Sequence, residues 1–228
     1  MKNLQEIQKL YQAFNAAYGM NIENAPQGSE AWFNLKLGVL SASNANKIVA
    51  KKGTQTRQTY LNQLLAQVCT GQHKDMDSAA LSWGRAVEDQ ARATYEMQED
   101  TEIVELPFVF KDASFREGCS PDGIDGWQTG VEIKAPYASE NHIAFMVDGK
   151  IKPEWQWQMQ YCMRILDCET YHFVSFDPRM RKGPIAIQIV DRDNEMQKKL
   201  NDAVPEFLLD MDKALGKLGF QWGDQWRN

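Results

Sequence analysis

Apolar positions recur at helical spacing from the start of the chain. Leu4, Ile7, Leu10, Phe14 and Tyr18 fall on one stripe and predict a helix within residues 1–20. Asn24-Ala25-Pro26-Gln27-Gly28 breaks it. Further helices are predicted over 41–49, capped by Ser41 or Ser43, over 59–70, stopped by Gly71, and over 78–97. The period then changes. Residues 102–110, 115–120 and 131–135 read as strands, separated by Lys111-Asp112 and by a turn-rich stretch, 121–129. A helix over 154–166, strands over 171–176 and 185–190, and a helix over 194–218 complete the order. Pro205 inside the last helix marks a site for a kink. Helices, three strands, helix, two strands and helix make a mixed α/β or α+β pattern.

The 228 residues suit a single domain. Within it, 1–25 read as a helical extension, 78–190 as the core and 194–218 as a closing helix. Hydrophobic residues make up 43% and charged residues 25%, the balance of a water-exposed globular chain. No apolar run approaches the ~18 residues of a membrane span. The first residues carry no signal-like apolar stretch, so a cytoplasmic location is expected. Cys69, Cys119, Cys162 and Cys168 form no C-x-x-C pair, and His73, His142 and His172 are scattered. That argues against zinc and for reduced, mostly buried thiols. Net charge is −6 and the isoelectric point is about 5.2, which opposes broad adhesion to nucleic acid. An acidic exterior still allows a positive field confined to one groove or channel.

Candidate chemistry lies in Ser120-Pro121-Asp122-Gly123 and Val131-Glu132-Ile133-Lys134. Alternate side chains of a strand share a face, so Glu132 and Lys134 point one way and Val131 and Ile133 the other. A hairpin would bring Asp122 to the Glu132 face. Neighbouring carboxylates repel unless a cation lies between them. Hard oxygen ligands without a Cys/His cluster favour Mg²⁺, with Mn²⁺ as a substitute. A lysine beside such a site can orient water and offset charge at a phosphate, which supplies the parts of phosphodiester hydrolysis. The bland alternative is a salt-bridged surface hairpin, and spacing alone does not exclude it. Glu88 shares a helical face with Leu81, Gly84, Ala91 and Tyr95, so it needs a partner: a metal, or Arg85 or Arg92. Gln160 lies in the tryptophan-rich helix, where its amide needs a phosphate, a metal-bound water or, more ordinarily, a backbone carbonyl.

These residues belong to a longer series. Gln27-Gly28, Ala31-Trp32, Leu37-Gly38-Val39, Ala42-Ser43, Val68-Cys69-Thr70-Gly71 and Ala80-Leu81-Ser82-Trp83-Gly84 precede Glu88 and the Asp122–Lys134 motif. Gln158-Met159-Gln160-Tyr161, Asp177-Pro178-Arg179-Met180 and Gln225-Trp226-Arg227 follow. From about Gln27 to Arg227 the chain resembles the lambda exonuclease family of phage-type recombination nucleases, within the PD-(D/E)xK superfamily. The resemblance implies a restriction-endonuclease-like core with a central mixed five-stranded sheet flanked by helices. It implies 5′-to-3′ digestion of one strand of linear double-stranded DNA with Mg²⁺, releasing mononucleotides and leaving 3′ overhangs. Implied partners are DNA ends, two further copies in a homotrimeric ring and a single-strand annealing protein, in the cytoplasm of a bacterial host. The family's metal ligands fall on Asp122, Glu132 and the Ile133 carbonyl, with Glu88 near a second metal. The catalytic lysine falls on Lys134. The 5′-phosphate pocket falls on Ser43, Ser120 and Gln160, with Trp32 in the same region. The strand-separating wedge falls on Leu81.

Two departures stand out. The family's phosphate-binding arginine is Lys36 here, which keeps the charge but loses the planar fork. The basic loop after Ser43 is shorter and retains Lys51, Lys52 and Arg57. The alternatives are a repair or restriction-like endonuclease on the same core, and a non-catalytic DNA-end-binding module, which would require a broken site.

Overall fold

Glu132 and Lys134 lie on the middle strand of a five-stranded sheet in the computed structural model, which describes residues 1–73 and 79–227, without the side chains of Ala80 and Leu81. That strand, β6 (Thr129–Lys134), forms an antiparallel hairpin with β5 (Gly123–Asp125). On its other side it runs parallel to β7 (Thr170–Phe176), with Lys134 opposite Ser175. Antiparallel β2 (Ile103–Val104) and β8 (Ile185–Asp191) complete the order β2-β5-β6-β7-β8. The sheet is mixed and five-stranded, as expected.

A parallel pair needs a long crossover. Here it consists of α6 (Ser139–Asp148), absent from the sequence reading, and α7 (Pro153–Leu166). Pro153 opens α7, where its missing N–H costs nothing. On one sheet face Val131, Ile133, Val174 and Phe176 pack on Val87, Ala91 and Tyr95 of α5 (Ala79–Glu99). Glu132 and Phe173 point to the other face, whose core includes Met159, Cys162 and Met163 of α7. β6 is therefore enclosed on both faces, and Glu132 has no exposed surface.

The predicted strand 102–110 splits. Its start is β2; its end is β3 (Val109–Phe110), in a separate sheet ordered β1-β4-β3. Strand 115–120 contracts to β4 (Glu117–Cys119), and β1 (Leu40–Ser41) pairs parallel to it. The fifth strand of the large sheet is β5, inside the stretch read as turn. Its hairpin with β6 wins over its Gly and Asp content. The helix expected over 41–49 becomes β1, one 3₁₀ turn at 42–44 and the four-residue α3 (Ala45–Ile48). Pairing with β4 takes its start.

Helix ends follow local chemistry. Asn3 and Glu6 form a capping box at α1 (Leu4–Tyr18). Ser29 caps α2 (Glu30–Leu35), which the hydrophobic pattern did not reveal. Gly71, at φ +64°, terminates α4 (Gln55–Thr70). Asp193 caps α8 (Asn194–Leu218), which runs without interruption through Pro205. Ile7, Tyr11 and Phe14 bury α1 against the small sheet, and the Tyr11 hydroxyl donates to Phe108 O at 2.7 Å. All four cysteines are free thiols. Among the described residues no helix is long and apolar enough to cross a membrane.

An added Cβ on Gly130 of β6 would overlap the buried Tyr171 ring, whereas one on Gly216 of α8 meets nothing within 4 Å. Gly130→Ala is expected to lower stability by about 1–3 kcal/mol. Gly216→Ala is expected to raise it by about 0.5–1 kcal/mol, since glycine is costly in a helix. Urea midpoints of the two variants check both signs.

Candidate active site

Antiparallel register sets the site. Gly123 faces Val131, so the residue before β5, Asp122, lies across from Glu132. Asp122 Oδ2 accepts the Ile133 N–H at 2.7 Å, which pins it beside β6. Glu132 Oε1 accepts from Lys134 Nζ and from Gln158 Nε2, the latter at 2.6 Å. Glu132 Oε2 is buried with no hydrogen-bond partner. The Lys134 side chain keeps 25% of its surface exposed, so the ammonium stands at the mouth of a sealed carboxylate.

The electrostatics describe a site short of positive charge. Burial pushes Glu132 up to about 7. Lys134 draws it down, while Asp122 and Glu88 push it up. Burial also raises Asp122, against the pull of Lys134. Glu88 is raised by burial and then by the charge of Asp122. For Lys134 burial works against the charge, but Glu132 and Asp122 outweigh it and hold the ammonium protonated. Lys134 thus serves both Glu132 and Asp122, Arg92 serves Glu88 and reaches Asp122, and an orphaned oxygen remains. This all-oxygen set fits a hard divalent cation. Among the described residues no three Asp, Glu, His or Cys side chains already form a ligand cluster, so carbonyl or water oxygens must complete any coordination.

Glu88 takes the bland option. Arg92 Nη2 donates to Glu88 Oε1 at 3.2 Å and also pairs with Glu105 at 3.2 Å. Glu88 and Arg92 line a cavity of about 660 Å³ together with Gln27, Arg85 and Glu105. Gln27 Nε2 donates to Pro121 O at 3.0 Å, joining that cavity wall to the Asp122 turn.

Trp32, Lys36 and Ser120 come together next to this turn. Lys36 Nζ lies 3.2 Å from the Trp32 ring centroid. Trp32 Nε1 donates to Pro107 O at 2.8 Å and to Ser120 Oγ at 3.1 Å. Burial drops Lys36 from the usual lysine range to about 7. Ser43 is exposed in the 3₁₀ turn after β1, with its Oγ 3.3 Å from Ser41 Oγ. The Leu81 side chain lies outside the described residues.

Gln160 requires correction. Its Nε2 donates to Asp191 O at 2.8 Å, and its Oε1 accepts from Asp193 N at 2.9 Å and Gln197 Nε2 at 3.0 Å. Its oxygen and one of its N–H groups are engaged in joining α7 to the start of α8. Gln158 reaches Glu132 instead. Two residues along a helix are about 200° apart, so the two glutamines cannot serve one site. Sequence reasoning missed Gln158 and did not choose between Arg92 and Arg85. The signal for Gln158 was its place one helical step from Trp155 and Cys162.

Comparison with known proteins places the chain among viral recombinases and exonucleases. The profile of the YqaJ-like viral recombinase domain covers residues 31–169. ExoD of Escherichia coli (strain K12) is 34% identical over 77 residues, spanning 34% of this chain and 88% of ExoD. The crystal structure of LHK-Exo in complex with dAMP is 29% identical, with a TM-score of 0.77 over 83% of this chain and 96% of its own. The alkaline exonuclease LHK-Exo from Laribacter hongkongensis, in a further crystal structure, is 28% identical with a TM-score of 0.73, covering 84% and 98%. A phage-related exonuclease from Haemophilus somnus 129PT, 14% identical over 79% of this chain and 96% of its own, shares the fold at a TM-score of 0.60.

The glutamines generate a prediction. Gln160→Ala removes the amide partner of Asp191 O and of Asp193 N–H, while Gln197 keeps its bond to the residue 160 carbonyl, and is expected to cost about 2 kcal/mol. Gln158→Ala, next to the partly open Lys134, is expected to cost less than half of that. Denaturant unfolding of both variants measures the difference.

Proposed function

This chain belongs to the YqaJ-like viral recombinase domain family, and from that premise we propose that it is a deoxyribonuclease digesting one strand of linear double-stranded DNA. Its direction is 5′-to-3′, and it leaves 3′ single-stranded overhangs for recombination by strand annealing. The observation that carries this reading is the buried Glu132, paired on one oxygen, orphaned on the other and faced by Asp122 and Lys134. A buried structural salt bridge gains most when both oxygens are satisfied. The likeness to the alkaline exonuclease LHK-Exo supports the same reading. It also favours an exonuclease over a repair or restriction-like endonuclease, and the intact acid–acid–lysine set disfavours a non-catalytic end-binding module.

Asp122, Glu132 and the Ile133 carbonyl would hold Mg²⁺ or Mn²⁺, with Glu88 beside it, and the ion would supply a polarised water and charge at the phosphoryl oxygen. The protein's own parts do the rest. Lys134, tethered by Glu132, stands where negative charge builds as water adds to phosphorus and the P–O3′ bond breaks. Gln158 holds Glu132 by one oxygen and leaves the second without a hydrogen bond. Arg92 restrains Glu88. Lys36, Ser43 and Ser120 receive the terminal 5′-phosphate, and Trp32 fixes Ser120 and lies under the Lys36 ammonium. Leu81 is the wedge between the terminal bases. Residues 1–228 act as one nuclease domain, in a ring of three copies that works beside an annealing protein.

End-labelled linear duplex, incubated with Mg²⁺ or chelator, tests this directly. Loss of label from 5′ ends, a requirement for metal and survival of covalently closed circles are expected. Rapid nicking of closed circles would transfer the chain to the endonucleases. Lys134→Ala is expected to keep DNA binding and lower cleavage by at least about 100-fold.

Lys36 adds a pH dependence. A lysine at about 7 is charged below that pH and loses its proton above it. A bound phosphate dianion favours the charged form and moves the loss upward. Preference for 5′-phosphate over 5′-hydroxyl ends is therefore expected to fall as pH rises from 7 to 9. Lys36→Arg is expected to flatten that fall, because arginine stays protonated. Competition between the two ends across this range measures it.

A further inference from the structure

The motif Asp177-Pro178-Arg179-Met180 has no part in the chemistry above, yet it lies at the catalytic end of the sheet. β6 and β7 are parallel and Lys134 faces Ser175, so the chain leaving β7 emerges beside the chain leaving β6. The β7–β8 loop is closed by Asp177 N–H donating to Pro184 O at 2.8 Å. Arg179 crosses from this loop to the segment after Lys134. Its Nη1 donates to Tyr137 O at 3.0 Å and its Nη2 to Pro136 O at 3.1 Å. Nε and Nη2 grip the fully buried Asp177 at 2.8 and 3.0 Å.

The guanidinium is thus held by its edge. One face covers the Trp83 ring of α5, 4.4 Å from the centroid. The side chain still keeps 41% of its surface in solvent, so what remains open is chiefly the opposite face. Tyr137 stands edge-on to Trp83, with centroids 6.3 Å apart, and is 56% exposed. Two and three residues beyond Arg179, Arg181 and Lys182 are exposed and form no ion pair among the described residues. Asp177 already neutralises Arg179, so these two are the free charges of the loop. Glu140 is the other acid whose charge reaches Arg179.

We propose that Tyr137 and the Trp83-backed Arg179 form a stacking platform for an unpaired nucleobase, with Arg181 and Lys182 holding the phosphates of that single strand. A rigid planar cation and an open phenol offer π-faces that accept any base, and adjacent free cations follow the backbone. The platform serves the strand at the catalytic end, so it rests on the nuclease reading. The nearby exposed Ile143, Met146 and Val147 of α6 offer no stacking plane.

The test uses the full chain, chelator and a short labelled single-stranded poly-dA, followed by anisotropy. Tyr137→Ala is expected to weaken binding about tenfold, and Tyr137→Phe, which keeps the ring, to bind within about twofold of the parent. Arg181→Ser with Lys182→Ser is expected to lower the slope of log affinity against log salt by about 1, which Tyr137→Ala leaves unchanged. Absent binding by the parent chain, unchanged affinity in all variants, or Phe as weak as Ala overturns the platform. So does a Tyr137→Ala effect confined to sedimentation mass, which would assign this face to a second copy. Digestion of linear duplex by the parent chain is run alongside. A parent that cuts DNA while Tyr137→Ala binds normally removes only the platform; a parent that cuts nothing removes the nuclease reading.

Discussion

A carboxylate with no access to water, on the middle strand of the sheet, is the constraint around which the rest is arranged. Moving such a charge into a low-dielectric interior costs several kcal/mol even after relaxation. Glu132 recovers part of that cost from Lys134 two residues along and from Gln158 across the α7 interface. Both partners depend on topology. Lys134 shares the Glu132 face because a strand alternates. Gln158 reaches it because the β6–β7 crossover lays α7 on that face. The compensation is incomplete, since Oε2 has no partner. A protein selecting only for stability would do better with a well-packed apolar residue here. Retaining a half-satisfied acid next to two others makes sense where a cation completes the set.

Long periodic elements were legible in the sequence. α1, α5, α7 and α8 are where their apolar stripes put them, α4 begins at Gln55, one turn before the predicted start, and β7 and β8 match to one residue. Short elements were not. α2, at six residues, is too brief for a stripe, and its Ser29 cap is one serine among many. The small sheet was hidden because its strands have two or three residues and β1 joins only through a partner distant in sequence, Leu40 with Glu117. Such pairing is a tertiary decision. It also explains why 102–110 read as one strand although its two ends serve different sheets.

The site divides along the same line. Glu132 and Lys134 were legible from two-residue alternation, and Asp122 from a hairpin that the register confirms. Lys36, Trp32 and Ser120 carried no local signal; family resemblance alone drew them together, and the Trp32 indole physically joins them. Gln158 and Gln160 show the limit of resemblance without geometry. They sit two residues apart in one motif, and only the helix rotation decides which amide faces Glu132 and which is absorbed by α8.

The acidic net charge looks at odds with a nucleic-acid substrate until the cations are followed individually. Lys52 and Arg57, which the sequence offers as a basic loop, are held by Asp210, and Lys52 also meets Glu206. Arg116 pairs with Asp212, Arg164 with Glu117 and Lys198 with Asp202. These cations are spent within the fold, and little of their field extends beyond a Debye length. Lys36 forms no ion pair among the described residues, and Lys134, though bound to Glu132, stays partly open; near the Asp122 turn a low dielectric magnifies the effect of each on a phosphate that enters. On the proposed reading, such a distribution would grip a terminus and not the length of a duplex. An acidic chain is then the expected counterpart of end recognition, because a broad positive face would hold internal DNA in competition with the ends.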